Sequence, residues 1–260
     1  MITDILINGE VSDGRIPVTD SSVLRGDGCF EVLKAYHGRP FALEEHIVRL
    51  ERSARALQIA LPDRSDLAAW IRKIAAEVED GAVRVVVTRG ASIPGLDDPS
   101  NVIVFGHTWE TGEEPARLYP VVAPWHAAGV EWDLAGAKIT SYAPNLAATR
   151  RAQAHGFDDA LLITIDGVIL EGPTFSIAWL VNSTLETPGL DLGILDSITR
   201  RVVLDAASDR GIDVVEGTWT MDRLDAAQEV MALSTIREVQ PVVSIAAREW
   251  QPGPTTARLA

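Results

Sequence analysis

The sequence predicts an α+β protein with two domains, the second richer in strand than in helix. Its 260 residues are enough for one large domain or two modest ones, each with its own core. Hydrophobic residues make up 47% of the chain and charged residues 23%, the balance of an ordinary folded protein. A polar stretch that begins Thr-Gly-Glu-Glu-Pro, at residues 111–117, is predicted to link a domain of residues 1–110 to one of residues 118–260.

The first domain is predicted to combine short strands with two helices. Residues 44–57 have apolar side chains at every third or fourth position, which is the spacing of an amphipathic helix. This apolar stripe consists of Ile47, Leu50, Ala54 and Leu57. Residues 65–78 are predicted to form a second helix that ends near Asp80-Gly81. Apolar, β-branched runs predict strands at residues 3–8, 30–36, 83–88 and 101–105.

The second domain is predicted to contain more strands. Apolar runs predict them at residues 118–123, 160–165, 168–170, 177–181, 212–215 and 230–233. Asp166-Gly167, between two of these runs, is typical of a type I′ hairpin turn. Helices are predicted at residues 146–155, 198–210 and, briefly, 221–227. Ser197 is expected to cap the second of these helices and Gly211 to end it.

Charge and composition exclude several classes of protein. The formal charge of −14 opposes binding to nucleic acid or to anionic membranes, since both carry negative charge. A single cysteine excludes a disulfide framework within the chain and zinc sites built from several cysteines, and no metal site is predicted. We find neither a secretory signal pattern nor an apolar run of membrane-spanning length, and we expect a cytoplasmic protein.

Two ionisable residues stand in contexts that suit catalysis. Lys138 lies among small and apolar neighbours, where a desolvated amine could attack a carbonyl group. The alternative is a solvated loop lysine. Glu171 ends a predicted strand and precedes Gly172-Pro173, where its carboxylate could hold a protonated ring nitrogen. The alternative is a turn carboxylate without a catalytic role.

A second group of residues could bind a phosphate. Ser197, Ile198 and Thr199 begin a predicted helix, whose free N–H groups and dipole attract anions. Ser234-Thr235, at the end of a predicted strand, could add hydroxyl groups, and Arg49 could add a guanidinium. Helix capping by Ser197 and a solvated position for Arg49 are the alternatives.

In their order along the chain, these segments resemble the class IV pyridoxal-phosphate aminotransferases. This family includes D-amino acid aminotransferases, branched-chain aminotransferases and 4-amino-4-deoxychorismate lyases. Five segments carry the resemblance: residues 25–31 (an Arg-Gly-Asp-Gly turn), 41–57 (the arginine-bearing helix), 138–145 (the lysine segment), 171–176 (a cofactor segment) and 193–200 (a phosphate segment). The family implies a fold-type IV structure, with a small N-terminal α/β lobe and a larger C-terminal lobe that has a β-barrel-like core.

The resemblance also implies a cofactor and a role for each candidate residue. Lys138 would form a Schiff base with pyridoxal 5′-phosphate and then carry a proton between the substrate Cα and the cofactor C4′. Glu171 would keep the pyridine nitrogen protonated. The other implied cofactor contacts are Arg49, Tyr142, Ser197, Ile198, Thr199, Ser234 and Thr235. The substrates would be a small amino donor and a keto acid, and the enzyme would be a homodimer.

Within the family, the chain is most similar to the D-amino acid aminotransferases, but its carboxylate site differs from theirs. At one predicted substrate-binding position those enzymes have a tyrosine and this chain has Phe30. They also have an Arg-x-His motif that is missing from the loop after Arg89. Arg89, Arg237 and Lys34 are therefore candidates to bind the substrate carboxylate, although Arg237 could instead pair with an acidic residue of the chain.

We therefore predict a transaminase that moves an amino group between a D-amino acid, or an R-primary amine, and a 2-keto acid such as 2-oxoglutarate or pyruvate. A 4-amino-4-deoxychorismate lyase, which Gly28-Cys29-Phe30 also resembles, and a branched-chain aminotransferase are the alternatives.

Overall fold

The computed structural model describes residues 2–91, 99–108, 114–126 and 128–260. The chain divides into two compact units. The first unit contains residues 1–110 and residues 137–142, and the second contains residues 111–136 and 143–260. The segment of residues 137–142 is therefore part of the first unit although its flanks belong to the second. The predicted division, with one boundary at residues 111–117, does not include this return of the chain to the first unit.

The first unit is an antiparallel sheet with two long helices. Its strands are β1 (Ile2–Ile7), β2 (Glu10–Ser12), β3 (Gly28–Tyr36), β4 (Arg39–Pro40), β5 (Gly81–Thr88) and β6 (Asn101–His107). Its helices are α1 (Ser21–Arg25), α2 (Leu43–Ala56) and α3 (Arg64–Val78). The sheet order is β2-β1-β6-β5-β3-β4, and every pairing within it is antiparallel.

Strand β3 alternates strictly between two environments. Cys29, Glu31 and Leu33 are buried on the face that packs against α2, whereas Phe30 and Val32 are half-buried on the opposite face. This follows from the period of two along a strand. Helix α2 buries the predicted stripe of Ile47, Leu50 and Ala54 in the same core, which confirms that helix.

The second unit is a mixed eight-stranded sheet with helices. Its strands are β7 (Ala116–Val122), β8 (Asp159–Ile163), β9 (Ser176–Val181), β10 (Thr184–Pro188), β11 (Asp213–Gly217), β12 (Glu229–Ser234), β13 (Glu238–Ile245) and β14 (Arg248–Glu249). Its helices are α4 (Ala143–Ala154), α5 (Ile198–Asp209) and α6 (Pro254–Leu259), with 3₁₀ turns at Leu190–Leu192 and Met221–Ala226. The sheet order is β11-β10-β9-β12-β13-β7-β8, with β14 paired to β13.

Both faces of the central strands in this sheet are covered. Every residue of β9 is buried: Ile177 and Trp179 pack on one side, and Ala178 packs on the other side with Val203 and Leu204 of α5. The continuous apolar run of β9 is the pattern of a strand buried on both faces. Such a sheet holds the residues at its strand ends in fixed positions.

The structure differs from the sequence prediction at several places in this sheet. Residues 168–170, predicted as a strand, form only isolated bridges, at Val168 and Ile169. The turn at Asp166-Gly167 is not type I′, because only Gly167 has a positive φ (78°) and a type I′ turn needs two. Strand β10 was not predicted because its buried Glu186 interrupts the apolar pattern. Strand β13 was not predicted because it contains Pro241, which lies just before the stretch that pairs with β7.

The predicted linker also ends earlier than expected. Strand β7 begins at Ala116, so the last two residues of the range 111–117 belong to the sheet. Residues 111–113 of that range lie outside the described residues. Among the helices that the structure describes, none has the length and apolar composition needed to cross a membrane.

A buried carboxylate attaches the C-terminal helix to the sheet of the second unit. Glu229 accepts hydrogen bonds from the N–H groups of Thr255 (3.0 Å) and Thr256 (2.7 Å) and from the Thr256 hydroxyl (2.7 Å). A Cβ atom at Gly253 would lie only 2.1 Å from the Glu229 side chain, so this close approach needs glycine. Burial raises the pKa of Glu229, but the hydrogen bonds from Thr256 and Thr255 more than offset it and hold the pKa below its usual value.

Stability should therefore fall with acid partly through Glu229. Its pKa is lower in the folded than in the unfolded chain, so its contribution is complete above the unfolded value, about 4.3, and is lost as pH falls through the folded value. Glu229→Gln should cost about 1–3 kcal/mol at pH 7. Thermal unfolding from pH 7 to pH 3 should show the two proteins converging in acid, with exposed Glu249→Gln as the control. A gap that stays constant across the pH range would contradict this account.

Candidate active site

The segment that carries Lys138 lies against the start of β3. The Phe30 N–H donates to the Lys138 carbonyl (3.0 Å), and the Thr140 N–H donates to the Gly28 carbonyl (2.8 Å). Cys29 and Ile139 form an antiparallel bridge between these two bonds. A Cβ atom at residue 28 would lie 2.5 Å from the Val87 carbonyl oxygen, so glycine permits this crowded strand start. The Lys138 segment thus takes its position from the first unit.

An aromatic ring lies beside the Lys138 amine, and a second ring contacts the first. Its Nζ lies 4.5 Å from the centroid of the Phe30 ring, and the Tyr142 ring meets Phe30 edge-on with centroids 5.6 Å apart. The structure therefore brings together three of the residues predicted for the site. Lys34 is not among them, because it lies four residues further along β3, roughly 13 Å from Phe30, over the Tyr36 ring.

Arg49 is buried and forms a bidentate ion pair with Glu31. Its Nε donates to Glu31 Oε1 (2.7 Å) and its Nη2 to Glu31 Oε2 (2.8 Å). His46 Nδ1 lies 2.7 Å from the same Oε2. The alternative of a solvated arginine is thus wrong, and His46, which no motif singled out, contacts a residue 15 positions away.

The ionisation of this cluster follows from burial and pairing. Burial raises the pKa of Glu31, but Arg49 and His46 lower it to about 2. Burial, helped by the charges of Arg49 and Lys138, lowers the pKa of His46 despite the Glu31 carboxylate. His46 is then neutral near pH 7, and its Nδ1 must carry the proton, since an ionised carboxylate only accepts hydrogen bonds. Burial also raises the pKa of Cys29 to about 12, so this thiol is unreactive.

Two of the arginines predicted for substrate binding are used within the chain instead. Arg89 forms an ion pair with Asp27 and donates to the carbonyl oxygens of Leu57 and Gln58. Its guanidinium therefore connects the end of α2 to the turn before β3. This environment opposes a substrate role, because the carboxylate it needs is already supplied. Residues 92–98 of the loop after Arg89 lie outside the described residues.

Arg237 is neutralised in the same way. Its Nη2 donates to Asp159 Oδ2 (2.6 Å), its Nη1 to Gln240 Oε1 (3.2 Å), and its guanidinium lies 4.6 Å from the Phe175 ring centroid. The acidic partner expected as the alternative for this arginine exists, and it is Asp159.

Sequence reasoning missed Arg84, which lies beside Phe30. Arg84 is paired with Val32 across β3 and β5, and its guanidinium lies 5.9 Å from the Phe30 ring centroid. Burial lowers its pKa, although Tyr142 acts to raise it. Among the described residues, no carboxylate forms an ion pair with it. One indication is present in the sequence, because a single arginine interrupts the valine run of residues 83–87. Its position on the same face as Phe30 follows only from the register of β5 against β3.

In the second unit, Glu171 lies next to the loop that leads into α5. Its two carboxylate oxygens accept the Leu195 N–H at 3.3 and 3.2 Å, and His126 Nε2 lies 3.6 Å from Oε1. Leu195 is only two residues before Ser197. The structure thus brings Glu171 close to the segment that begins the helix, which makes Glu171 more than an isolated turn residue.

The start of α5 has the form of an anion site. The Ser197 hydroxyl accepts the Arg200 N–H (3.3 Å), which confirms it as the N-cap. The N–H groups of Ile198 and Thr199 belong to the first turn, where no intrahelical acceptor exists. Capping and anion binding are therefore compatible here.

Two further hydroxyl positions lie at the end of β12 and the start of β9. Ser234 Oγ accepts the Arg237 N–H (3.1 Å), and Thr235 follows in the same turn. Ser176 pairs with Leu233 in the sheet, and its buried hydroxyl has no partner among the described residues. A buried polar atom without a partner is rare, and this hydroxyl is able to bind a polar ligand. The first unit thus offers an amine, and the second offers a carboxylate, a helix start and a hydroxyl, which are kinds of group that can hold pyridoxal phosphate.

Comparison with known proteins agrees with this set of groups. The sequence profile of the family described as class IV amino-transferases matches residues 28–245. A protein of Methanocaldococcus jannaschii named as a branched-chain-amino-acid aminotransferase is 32% identical over 94% of this chain and 88% of its own. An aminodeoxychorismate lyase of Bacillus subtilis is 28% identical over 93% of this chain and 86% of its own. A D-alanine aminotransferase of Listeria innocua is 28% identical over 100% of this chain and 92% of its own.

A solved structure shares the fold. The fold IV transaminase CpuTA1 of Curtobacterium pusillum superposes with a TM-score of 0.86 at 30% identity, covering 96% of this chain and 91% of the other. The chain belongs to the class IV aminotransferases. It is a pyridoxal-phosphate-dependent aminotransferase with the fold-type IV architecture, so the predicted family, fold class and cofactor are confirmed.

Removing the charge of Glu31 should destabilise the first unit strongly. Glu31→Gln leaves the buried Arg49 guanidinium without a counter-charge, which should cost about 3–5 kcal/mol. The matched control is Glu51→Gln, which removes the carboxylate of the more exposed pair with Arg64 and should change stability little. Urea unfolding at fixed protein concentration measures both. Equal losses in the two variants would contradict the role given to burial.

Proposed function

We propose that this chain is a transaminase that moves an amino group between a D-amino acid, or an R-primary amine, and a 2-keto acid such as 2-oxoglutarate or pyruvate. The observation that carries the proposal is the Lys138 amine, held beside Phe30 and Tyr142 by a segment that pairs with β3. D-alanine aminotransferases among the relatives support the D-amino acid. A lyase is favoured by Gly28-Cys29-Phe30 and by the Bacillus relative, and a branched-chain substrate by the Methanocaldococcus relative.

Each candidate residue has a definite task in this proposal. Pyridoxal phosphate, when bound, supplies an electrophilic carbonyl and an electron sink for the substrate carbon. Lys138 would attach the cofactor through its amine and would then carry a proton between the substrate α-carbon and the cofactor carbon C4′. Glu171, held by the Leu195 N–H, provides the negative charge that keeps the ring nitrogen protonated.

The phosphate would be bound by short-range donors. These donors are the N–H groups of Ile198 and Thr199, the hydroxyls of Ser197, Ser234 and Thr235, and the guanidinium of Arg49. Tyr142, beside Phe30, would border the cofactor. A homodimer and a cytoplasmic location remain proposals.

We further propose that Arg84 replaces Arg89 and Arg237 as the residue that binds the substrate carboxylate. Arg89 and Arg237 each have a carboxylate partner in the chain, at Asp27 and Asp159. Arg84 has none among the described residues, yet it is half-buried close to the ring that lies against Lys138. A guanidinium in such a position gains most from an anionic ligand, because two parallel N–H···O bonds satisfy it.

Covalent labelling tests the attachment site. The chain has only three lysines, Lys34, Lys73 and Lys138. Borohydride reduction of the protein with pyridoxal phosphate should place the label on the peptide that contains Lys138, as read by mass spectrometry. Lys138→Ala should lose the label and all transamination while keeping its thermal unfolding. A label on Lys34 or Lys73 would remove Lys138 from this role.

Substrate preference tests Arg84. Arg84→Gln should lose on the order of 2–4 kcal/mol of transition-state binding with D-amino acids and 2-keto acids, roughly thirty- to a thousandfold in kcat/KM. Its activity with R-primary amines that lack a carboxylate should fall much less. Arg89→Gln and Arg237→Gln are matched controls that should lower both activities equally, through stability. An equal loss for both substrate types in Arg84→Gln would contradict carboxylate binding.

A further inference from the structure

Helix α2 has an unusual buried side that is polar at three positions. His46, Arg49 and Ser53, spaced by three and four residues, share one side of the helix and are exposed by only 1%, 5% and 0%. Buried polar groups are costly unless they are hydrogen-bonded. Glu31 accounts for His46 and Arg49. The burial of the Ser53 hydroxyl must be offset by other partners, because its recorded hydrogen bonds are not to Glu31.

The Ser53 hydroxyl bridges the helix and the lysine segment. Its Oγ donates to the Arg49 carbonyl (3.0 Å) and accepts the N–H of Lys138 (3.0 Å). A hydroxyl has a single proton, so donation to Arg49 directs its lone pairs at the lysine segment. The bond to Lys138 is therefore made by a hydroxyl whose rotation is already fixed.

This bond completes a clamp on the Lys138 backbone. The segment of residues 137–142 forms no helix or strand. It belongs to the first unit, although the residues on either side of it belong to the second. The Lys138 carbonyl is held by the Phe30 N–H, and its own N–H is held by Ser53. The two peptide groups that flank the Lys138 Cα are thus fixed by two different elements, β3 and α2.

We propose that Ser53 is a positioning residue for Lys138, fixing where the amine of that lysine stands. The proposal rests on the proposed role of Lys138 in attaching the cofactor. The direction of the Cα–Cβ bond follows from the two flanking peptide planes, so release of one plane lets the long side chain swing. Displacements of about 1 Å at a reacting group are enough to cost about a hundredfold in rate. Ser53 also lies one turn after Arg49, so one helix would place both the phosphate arginine and the attachment lysine.

The test measures attachment in addition to turnover. Ser53→Ala should slow the formation of the borohydride-trapped Lys138 adduct at least tenfold after pyridoxal phosphate is added to apo protein. It should lower kcat by a similar factor with little change in KM. Hydrogen exchange in the peptide of residues 137–142 of the apo protein should quicken at the Lys138 amide. Ser53→Thr, which keeps the hydroxyl, should restore attachment to within about threefold.

A control in the same segment separates positioning from general loosening. Thr140→Val removes the bond from Thr140 Oγ1 to the Gly26 carbonyl (2.8 Å) and leaves both bonds of the Lys138 backbone in place. It should attach the cofactor within about twofold of the wild-type rate. Ser53→Cys, which matches serine in shape but is a weak acceptor, replaces Ser53→Ala if the alanine variant does not fold.

The outcomes are distinct. An unchanged attachment rate in Ser53→Ala, or an equal slowing in Thr140→Val, overturns the positioning role while the proposed function stands. A wild-type protein that forms no adduct at Lys138 overturns both. A slow Ser53→Ala or Ser53→Cys, a rescued Ser53→Thr and a normal Thr140→Val support the role.

Discussion

The buried carboxylate of Glu31 is the interaction on which the candidate site depends. It comes from β3 and binds Arg49 and His46 of α2, so it fixes this helix against the sheet. Because successive residues of a strand face opposite ways, the same strand position that buries Glu31 turns Phe30 towards Lys138. Glu31 therefore fixes the helix that carries Ser53, and its neighbour Phe30 supplies the ring beside the Lys138 amine.

Ion pairing within the chain decides which arginines can bind ligands. Arg89 and Arg237 have partners that are 62 and 78 residues away in the sequence. No periodic pattern reveals such pairs, which is why both residues were predicted as substrate ligands. Arg84 was overlooked for the opposite reason. It interrupts a valine run, and only the registration of β5 against β3 shows that it lies close to Phe30.

Periodicity predicted much of the fold, and tertiary contacts account for the rest. The apolar stripe of α2 and the alternation of β3 are local patterns, and the structure contains both elements. Strand β10 depends on Trp179 and Arg223, which bind its buried Glu186 from other parts of the second unit. The inclusion of residues 137–142 in the first unit depends on backbone bonds to Gly28 and Phe30, and these leave no trace in amino-acid composition.

The distribution of charge determines how this enzyme can recognise anions. The chain has 37 acidic and 23 basic residues, so its long-range field repels negative ligands. Glu31 already neutralises the charge of Arg49. This guanidinium can therefore give a bound phosphate directional hydrogen bonds but little net positive charge. In the proposed function, the phosphate therefore depends on N–H groups at the start of α5 and the substrate carboxylate on Arg84. Because the field of the whole chain does not attract anions, the fit of the anion to these donors at hydrogen-bond distance selects what binds.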